Sequence, residues 1–340
     1  MAQPSFQGRF IWHELLCTDT SAATAFYERI LPWRAQPYSP GSPYLMFRSA
    51  DGKPVAGAMR LSDEAKAAGT GPHWRGYIGA EDVDAIAGRA VGLGARIQQP
   101  AQDVPGVGRV ALLTDPEGAS FGLYCPLTDS GSAPASSSFF WNELAVRNRE
   151  AALAFYQQLF GWQLRPPMDM GGGFYYQTFG LGSQDMGGAY TIPADRDMPP
   201  GWCPYANSSS ADETAGKVLA AGGQLAHGPI EVPGGGRIVQ FFDVQHAFFA
   251  VHSMAVAPVA SKAKPKAAAK SAPPAAKKAA KKAVKKKAKA KAKAKAKAKA
   301  KKKSAKRWAS RPARKSARKR APKRAPKRVR KAKRKPARKK

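Results

Sequence analysis

Phe10-Ile11-Trp12-His13-Glu14-Leu15 and Phe139-Phe140-Trp141-Asn142-Glu143-Leu144 are one phrase written twice in a chain of 340 residues. Each runs on to an aromatic pair, Phe26-Tyr27 or Phe155-Tyr156, and then to Leu31-Pro32-Trp33 or Phe160-Gly161-Trp162. Trp12/Trp141, Glu14/Glu143, Phe26/Phe155 and Trp33/Trp162 are each 129 positions apart. The echo continues at 128 for Trp74/Trp202, Tyr77/Tyr205, Asp84/Asp212, Gly94/Gly222 and Asp115/Asp243. Val104-Pro105-Gly106 with Gly108-Arg109 likewise returns as Val232-Pro233-Gly234 with Gly236-Arg237. So many matches in one register define an internal repeat, and the chain holds two copies of one module.

Within a copy the local signals are orderly. Residues 10–17 are aromatic and branched with loose alternation, which predicts a strand. Thr18-Asp19-Thr20-Ser21 offers N-caps, Ala22, Ala23, Phe26, Tyr27 and Ile30 recur at helical spacing, and Pro32 stops the helix. In the second copy Asn148 is the expected cap, and Ala151, Ala152, Phe155, Tyr156 and Leu159 repeat the stripe. Strands near 33–38, 44–49 and 55–61 follow, with Asp51-Gly52 as a two-residue hairpin signal. Trp74 opens a second unit of the same kind: strand 74–80, helix 82–93, then strands near 95–99, 108–114 and 119–125. The expected class is α+β, with four βαβββ units in two tandem modules, 8–127 and 139–254, joined by a Ser-rich linker at 128–138.

The net charge of +34 belongs to one end. Residues 261–340 hold 40 Lys and Arg and no acid, so the rest, with 17 basic against 23 acidic residues, carries −6. The segment 255–340, poor in apolar bulk and self-repelling, is expected to be disordered in isolation. No apolar run approaches the roughly 18 residues of a membrane span, and the N-terminus lacks a secretory pattern. Cys17, Cys125 and Cys203 form neither a CxxC pair nor an even framework. A reducing cytoplasmic setting is expected, nucleoid-associated if the cell is bacterial.

With the Trp-x-Glu-Leu strand, the Phe-Tyr helix and the turn Asp115-Pro116-Glu117-Gly118 in hand, residues 8–254 resemble the vicinal oxygen chelate superfamily. It includes glyoxalases, extradiol dioxygenases and bleomycin-resistance binding proteins, and its paired βαβββ units curl a sheet into a cup. The resemblance implies metal ligands about seven residues before the Asp that opens the first helix, and about seven after the Asp of the last turn. Those positions hold Trp12 and Gly122, and in the second copy Trp141 and Ala250, none of which binds a divalent metal. The remaining family position falls near Trp74 or Arg75, with His73 just outside. His13 lies one residue from the ligand slot, which on a strand turns it to the other face; a site built from His13 with His73 or Glu14 is the metal-binding alternative.

Glu14 and Glu143 are the candidate catalytic residues, as bases of raised pKa in the cup wall or as acceptors for a cationic or hydrogen-bonding ligand. The competing reading is an ion pair with Arg109 and Arg237, which repeat as faithfully. Trp12, Tyr44, Trp141, Tyr175 and Tyr176 form a candidate aromatic lining for a flat or cationic ligand, or else plain core.

The C-terminal segment is similar in composition to the tails of linker histones and bacterial histone-like proteins, and a charge on every second residue neutralises phosphates whatever the base sequence. Lys285, Lys286, Lys287, Arg307, Arg318, Lys319, Arg320, Lys327 and Arg328 are representative contacts, and Trp308 is placed to stack on bases. The leading expectation is a small-molecule binder that needs no metal or other cofactor, tethered to DNA or RNA. Its alternatives are a divalent-metal lyase or dioxygenase of the glyoxalase type, and a structural protein of the nucleoid. Pairing of the two modules within one chain, or between two chains, is open at this level.

Overall fold

The computed structural model describes residues 6–127 and 138–254. The linker, apart from Ser138, the tail and every nucleic-acid contact named above lie outside them. The first copy runs β1 (Phe10–Cys17), α1 (Thr20–Ile30), β2 (Arg34–Pro37), β3 (Leu45–Arg48), β4 (Pro54–Arg60), α2 (Asp63–Ala67), β5 (His73–Gly79), α3 (Val83–Gly92), β6 (Arg96–Val104), β7 (Gly108–Thr114) and β8 (Ser120–Pro126). The second runs β9 (Phe139–Val146), α4 (Arg149–Phe160), β10 (Gln163–Leu164), β11 (Met168–Asp169), β12 (Tyr175–Leu181), β13 (Gln184–Thr191), β14 (Gly201–Asn207), α5 (Ala211–Ala220), β15 (Gln224–Val232), β16 (Gly236–Phe242) and β17 (Phe248–Met254). No helix among the described residues is long and apolar enough to cross a membrane.

The helix signals act as expected. Asp19 Oδ1 accepts from Ala22 N and Asn148 Oδ1 from Ala151 N, both at 3.0 Å, satisfying donors that the first turn leaves free. One position of the repeat stops its helix by two chemistries: Pro32 follows α1, whereas Gly161 closes α4 at φ +73°.

Three details depart from the sequence reading. Helix α2, capped by Ser62, has no buried residue and therefore no apolar period to announce it. Strand β6 continues to Val104 rather than 99, because two irregularities of register keep it paired with β7 past Pro100. The Asp51-Gly52 turn is wider than two residues: Ser49 N bonds Lys53 O, and Gly52 takes φ +79°.

Each copy forms one mixed sheet. The first has order β2-β3-β4-β1-β5-β8-β7-β6, and the second β10-β12-β13-β9-β14-β17-β16-β15 with β11 beside β12. β1 lies parallel to β4 and antiparallel to β5, so the two units of a copy meet at their first strands. β9 repeats this with β13 and β14.

The copies share two cores rather than owning one each. Ile78, Leu113 and Phe121 pack with Leu153, Tyr156, Trp162 and Phe179, while Leu15, Phe26, Tyr27 and Trp33 pack with Val218, Phe241 and Phe249. Reciprocal hydrogen bonds stitch the seam. Tyr27 OH donates to Asp243 Oδ2 at 3.2 Å and Tyr156 OH to Asp115 Oδ2 at 3.0 Å, and Trp74 and Trp202 donate to those same phenols. Gln245 Oε1 accepts from the backbone of Thr18 and Asp19, and Glu117 Oε2 from that of Asn148, so the last turn of each copy completes the first helix of the other. His13 Nε2 meets its own counterpart, Asn142 Oδ1, at 2.7 Å.

Buried between Phe139 and Phe10, the His13 ring is held neutral, its pKa pushed down to about 4 by lost hydration. An unfolded histidine binds its proton near 6.5, so this site lowers stability as pH falls from there towards 4. Denaturant midpoints of the parent should therefore drop across that window by more than those of His13→Asn.

Candidate functional site

On the strand faces turned away from the shared cores, each sheet sets out the same two rows. An irregularity between Phe10 and Trp12 turns Phe10 to the side of His13, leaving Trp12 and Glu14 on the other face. Cross-strand pairing then aligns Trp12, Tyr77, Gly122 and Leu112 in one row and Gly57, Glu14 and Arg75 in the next. The second sheet aligns Trp141, Tyr205, Ala250 and Gln240, beside Gly188, Glu143 and Cys203.

In the first hollow Glu14 has its own cation. Tyr77 OH donates to Glu14 Oε2 at 2.8 Å, and Arg75 Nη1 lies 3.7 Å from the same oxygen. Trp12 Nε1 donates to Tyr44 OH at 3.0 Å. A Cβ on Gly57 would stand 1.7 Å from the Tyr44 oxygen, so this glycine makes the place for the phenol. Burial, and then the charge of Glu14, push the Tyr44 and Tyr77 pKa values upward. The sheet curls far enough for Tyr38, beyond edge strand β2, to donate to Gly106 O in the β6–β7 turn at 3.3 Å.

The second hollow keeps the frame and changes the charges. Trp141 Nε1 donates to Tyr176 OH at 2.7 Å. Gln240 Nε2 donates to Glu143 Oε1 at 2.8 Å and to Tyr205 OH at 2.6 Å. Arg75 is replaced here by Cys203, and among the described residues Glu143 makes no ion pair. Its pKa is pushed up to about 7: burial raises it, and hydrogen bonds to Tyr205, Tyr176 and Gln240 offset only part of that. Gly188 makes room for Tyr176 as Gly57 does for Tyr44, with a Cβ falling 2.3 Å from the ring. Gly188→Ala should therefore displace Tyr176 and cost about 1–3 kcal/mol, read as a lower melting temperature and a changed near-ultraviolet dichroism.

The structure brings Trp12, Glu14 and Tyr44 together, and Trp141 with Glu143, but parts the other candidates from them. Tyr176 is the lining phenol, whereas neighbouring Tyr175 is exposed on the opposite face, its ring 6.0 Å from the Arg149 guanidinium. Arg109 grips Asp84 in the first turn of α3 through Nε and Nη2 at 2.5 and 2.9 Å; Arg237 grips Asp212 of α5 at 2.7 and 2.8 Å. These arginines tie helices to strands and do not reach the glutamates, so their repetition records a structural need. Tyr77, Cys203, Tyr205 and Gln240 complete the hollows and were not among the expected site residues, and Arg75, read only as lying near the remaining family position, joins them beside Glu14. Their signal was available in alternate positions of β5 and β14, and in the places where the copies disagree.

The donors present do not suit a divalent metal. The family's positions on β1 and β8 carry an indole and a glycine, and those on β9 and β17 an indole and an alanine. Among the described residues, no three His, Cys, Asp or Glu side chains gather as ligands would. His13 and His73 lie on opposite faces of the sheet: His13 points into the seam, and His73 sits across from Leu16 with Nδ1 2.8 Å from Gly71 O.

The pattern of a family described as a glyoxalase-like domain matches residues 12–124. CFP32 of Mycobacterium tuberculosis, named "Putative glyoxylase", is 32% identical over 249 residues, covering 72% of this chain and 94% of its own. The anthracycline biosynthesis protein DnrV of Streptomyces peucetius is 27% identical over 254 residues, 71% of this chain and 91% of its own. Among solved structures, the Mn(II)-bound glyoxalase of Novosphingobium aromaticivorans aligns with a TM-score of 0.51 at 16% identity, over 73% of this chain and 82% of that one. A homoprotocatechuate 2,3-dioxygenase variant of B. fuscum aligns at 0.54 and 12% identity, over 74% of each chain.

Proposed function

The chain belongs to the glyoxalase-like family of the vicinal oxygen chelate fold, and from that premise we propose that its folded part binds a small, flat organic molecule without a metal while its C-terminal polycation holds it to nucleic acid. The observation that carries the first half is the row Trp141-Tyr205-Ala250 beside a buried Glu143: an indole and a methyl stand where the family places metal ligands, and the carboxyl next to them is held by an amide. Stacking on the half-buried Trp141 and Tyr176 rings suits a planar body, and a carboxyl with amide and phenol neighbours suits a polar group on its edge. Relatives named for anthracycline biosynthesis agree with a ligand of fused aromatic rings.

The test of the first half is thermal melting of the full-length chain against a panel of planar aromatic compounds, before and after dialysis against a chelator. We expect saturable shifts that survive chelation. Tightly held, stoichiometric manganese, zinc, nickel or iron, whose removal abolishes the shifts, would overturn it in favour of the lyase or dioxygenase.

Support for the second half is composition: 40 Lys and Arg without one acid in residues 261–340. Such a segment displaces counterions from phosphates, so affinity should fall steeply with salt and be shared by duplexes of unrelated sequence. Truncation after residue 257 should remove both properties. Retention of DNA by the truncated chain, with an unchanged salt slope, would contradict the assignment.

A further inference from the structure

The two hollows are alike in frame and unlike in charge, and the difference points to what the second one takes. In the first, the Arg75 guanidinium lies 3.7 Å from Glu14, which Tyr77 also holds, and Trp12 and Tyr44 are bonded to each other on the same face of the sheet. This is a cation beside a carboxylate that also receives the Tyr77 hydroxyl, supplied by the chain itself. In the second, Glu143 retains the matching walls of Trp141, Tyr176 and Tyr205, but Cys203 occupies the position of Arg75, so the carboxyl stays and the cation goes. Two further exchanges accompany it. Leu112 becomes Gln240, whose amide holds Glu143 Oε1, and Ser120, which receives Arg75 Nε at 3.4 Å, becomes Phe248, packed with Cys203, Tyr205 and Ala250.

We propose that the second hollow binds an organic cation, an ammonium group carried on an aromatic body, with Glu143 as its counter-ion in the place that Arg75 fills opposite Glu14. This rests on the small-molecule reading given above and narrows it to one hollow and one charge. A cation over Trp and Tyr faces is attracted by their ring quadrupoles, and a buried carboxylate is stable only with a partner.

Among the described residues, no group facing Glu143 offers that partner. Tyr176 comes from β12, Tyr190 from β13, Cys203 and Tyr205 from β14, and all four hold their protons more tightly than usual because they are buried near this carboxyl. Gln240 from β16 is neutral, and Arg196 acts on Tyr190 rather than on Glu143. With its pKa raised to about 7, the carboxyl ionises when a cation arrives, so binding should weaken as pH falls through that value.

The experiment uses the full-length chain, whose basic tail repels cations and does not gather the probe. Benzyltrimethylammonium is titrated by calorimetry and thermal shift near pH 8, with benzyl alcohol as the uncharged comparison. The cation should bind saturably and the alcohol should not. Affinity should fall about tenfold between pH 8 and pH 6 as Glu143 takes its proton. Glu143→Gln, close in shape, should lose about tenfold or more, and Cys203→Arg should abolish binding by restoring the chain's own cation.

Equal response to the cation and the alcohol, or undiminished cation binding by Glu143→Gln, would overturn the proposal while leaving a small-molecule site in place. Silence towards both probes, and towards the planar panel, would remove the broader reading with it. If Cys203→Arg does not fold, Glu143→Gln and the pH series still decide.

Discussion

Glu143→Gln should make the folded chain more stable by about 3 kcal/mol near pH 8 and leave it unchanged near pH 4.5. The carboxyl titrates at about 7 when folded, against an ordinary value of 4.5. A folded-state pKa above the unfolded one means that the folded chain holds the proton more tightly. The stability this gives is fully present below 4.5 and is lost as pH rises towards 7. Glutamine keeps the shape and an acceptor for the Gln240 amide, yet has no charge to bury, so it escapes the loss. Denaturant midpoints of parent and variant, taken from pH 4.5 to pH 8, measure the effect directly. The titrations of His13 and of the basic tail are common to both proteins and cancel in the difference. Parallel curves would mean that water reaches the carboxyl and that the second hollow is wetter than its walls imply.

Trp162→Ala should cost about 3–5 kcal/mol, at the upper end for a core truncation. The indole is 2% exposed, stacked at 4.3 Å on Phe179 and 4.9 Å on Tyr156, with Phe10 of the first copy at 5.8 Å. Its Nε1 donates to Gly8 O at 2.8 Å, so the substitution also strips a buried carbonyl of its donor across the seam. Because the two cores are shared, the loss should fall on both copies. Far-ultraviolet dichroism and tryptophan fluorescence should shift together, in one transition of unchanged denaturant slope. Two separated transitions would contradict a shared core.

How much of this was legible in the sequence depends on which face of a strand a residue occupies. The repeat exposed the elements, since caps, breakers and aromatic stripes act locally and were written twice. Alternation set Trp12 and Glu14 on the face opposite His13, Tyr44 was named as an aromatic near them, and Trp141 and Glu143 came by the offset. Arg109 and Arg237 were read as possible partners of the glutamates because they repeat. Repetition cannot separate a residue that serves a ligand from one that holds a helix, and Asp84 and Asp212 claim these two. Asp115, Asp243, Trp74 and Trp202 recur for the seam, a long-range arrangement that no local pattern announces. Tyr175 and Tyr176 are adjacent, and only the register against Tyr190 says which one faces inward. The residues that set the hollows apart, Arg75 against Cys203 and Leu112 against Gln240, lie where the copies fail to match, so a search for likeness passed over them.

The reciprocal seam has a genetic corollary. Two identical subunits meeting through Tyr-to-Asp exchanges would be bound to mutate in tandem, since every change in one hollow would appear in both. Fusion fixes the stoichiometry at one of each and frees the halves to drift apart. Here one half keeps an arginine that neutralises its own acid, and the other is left free to specialise.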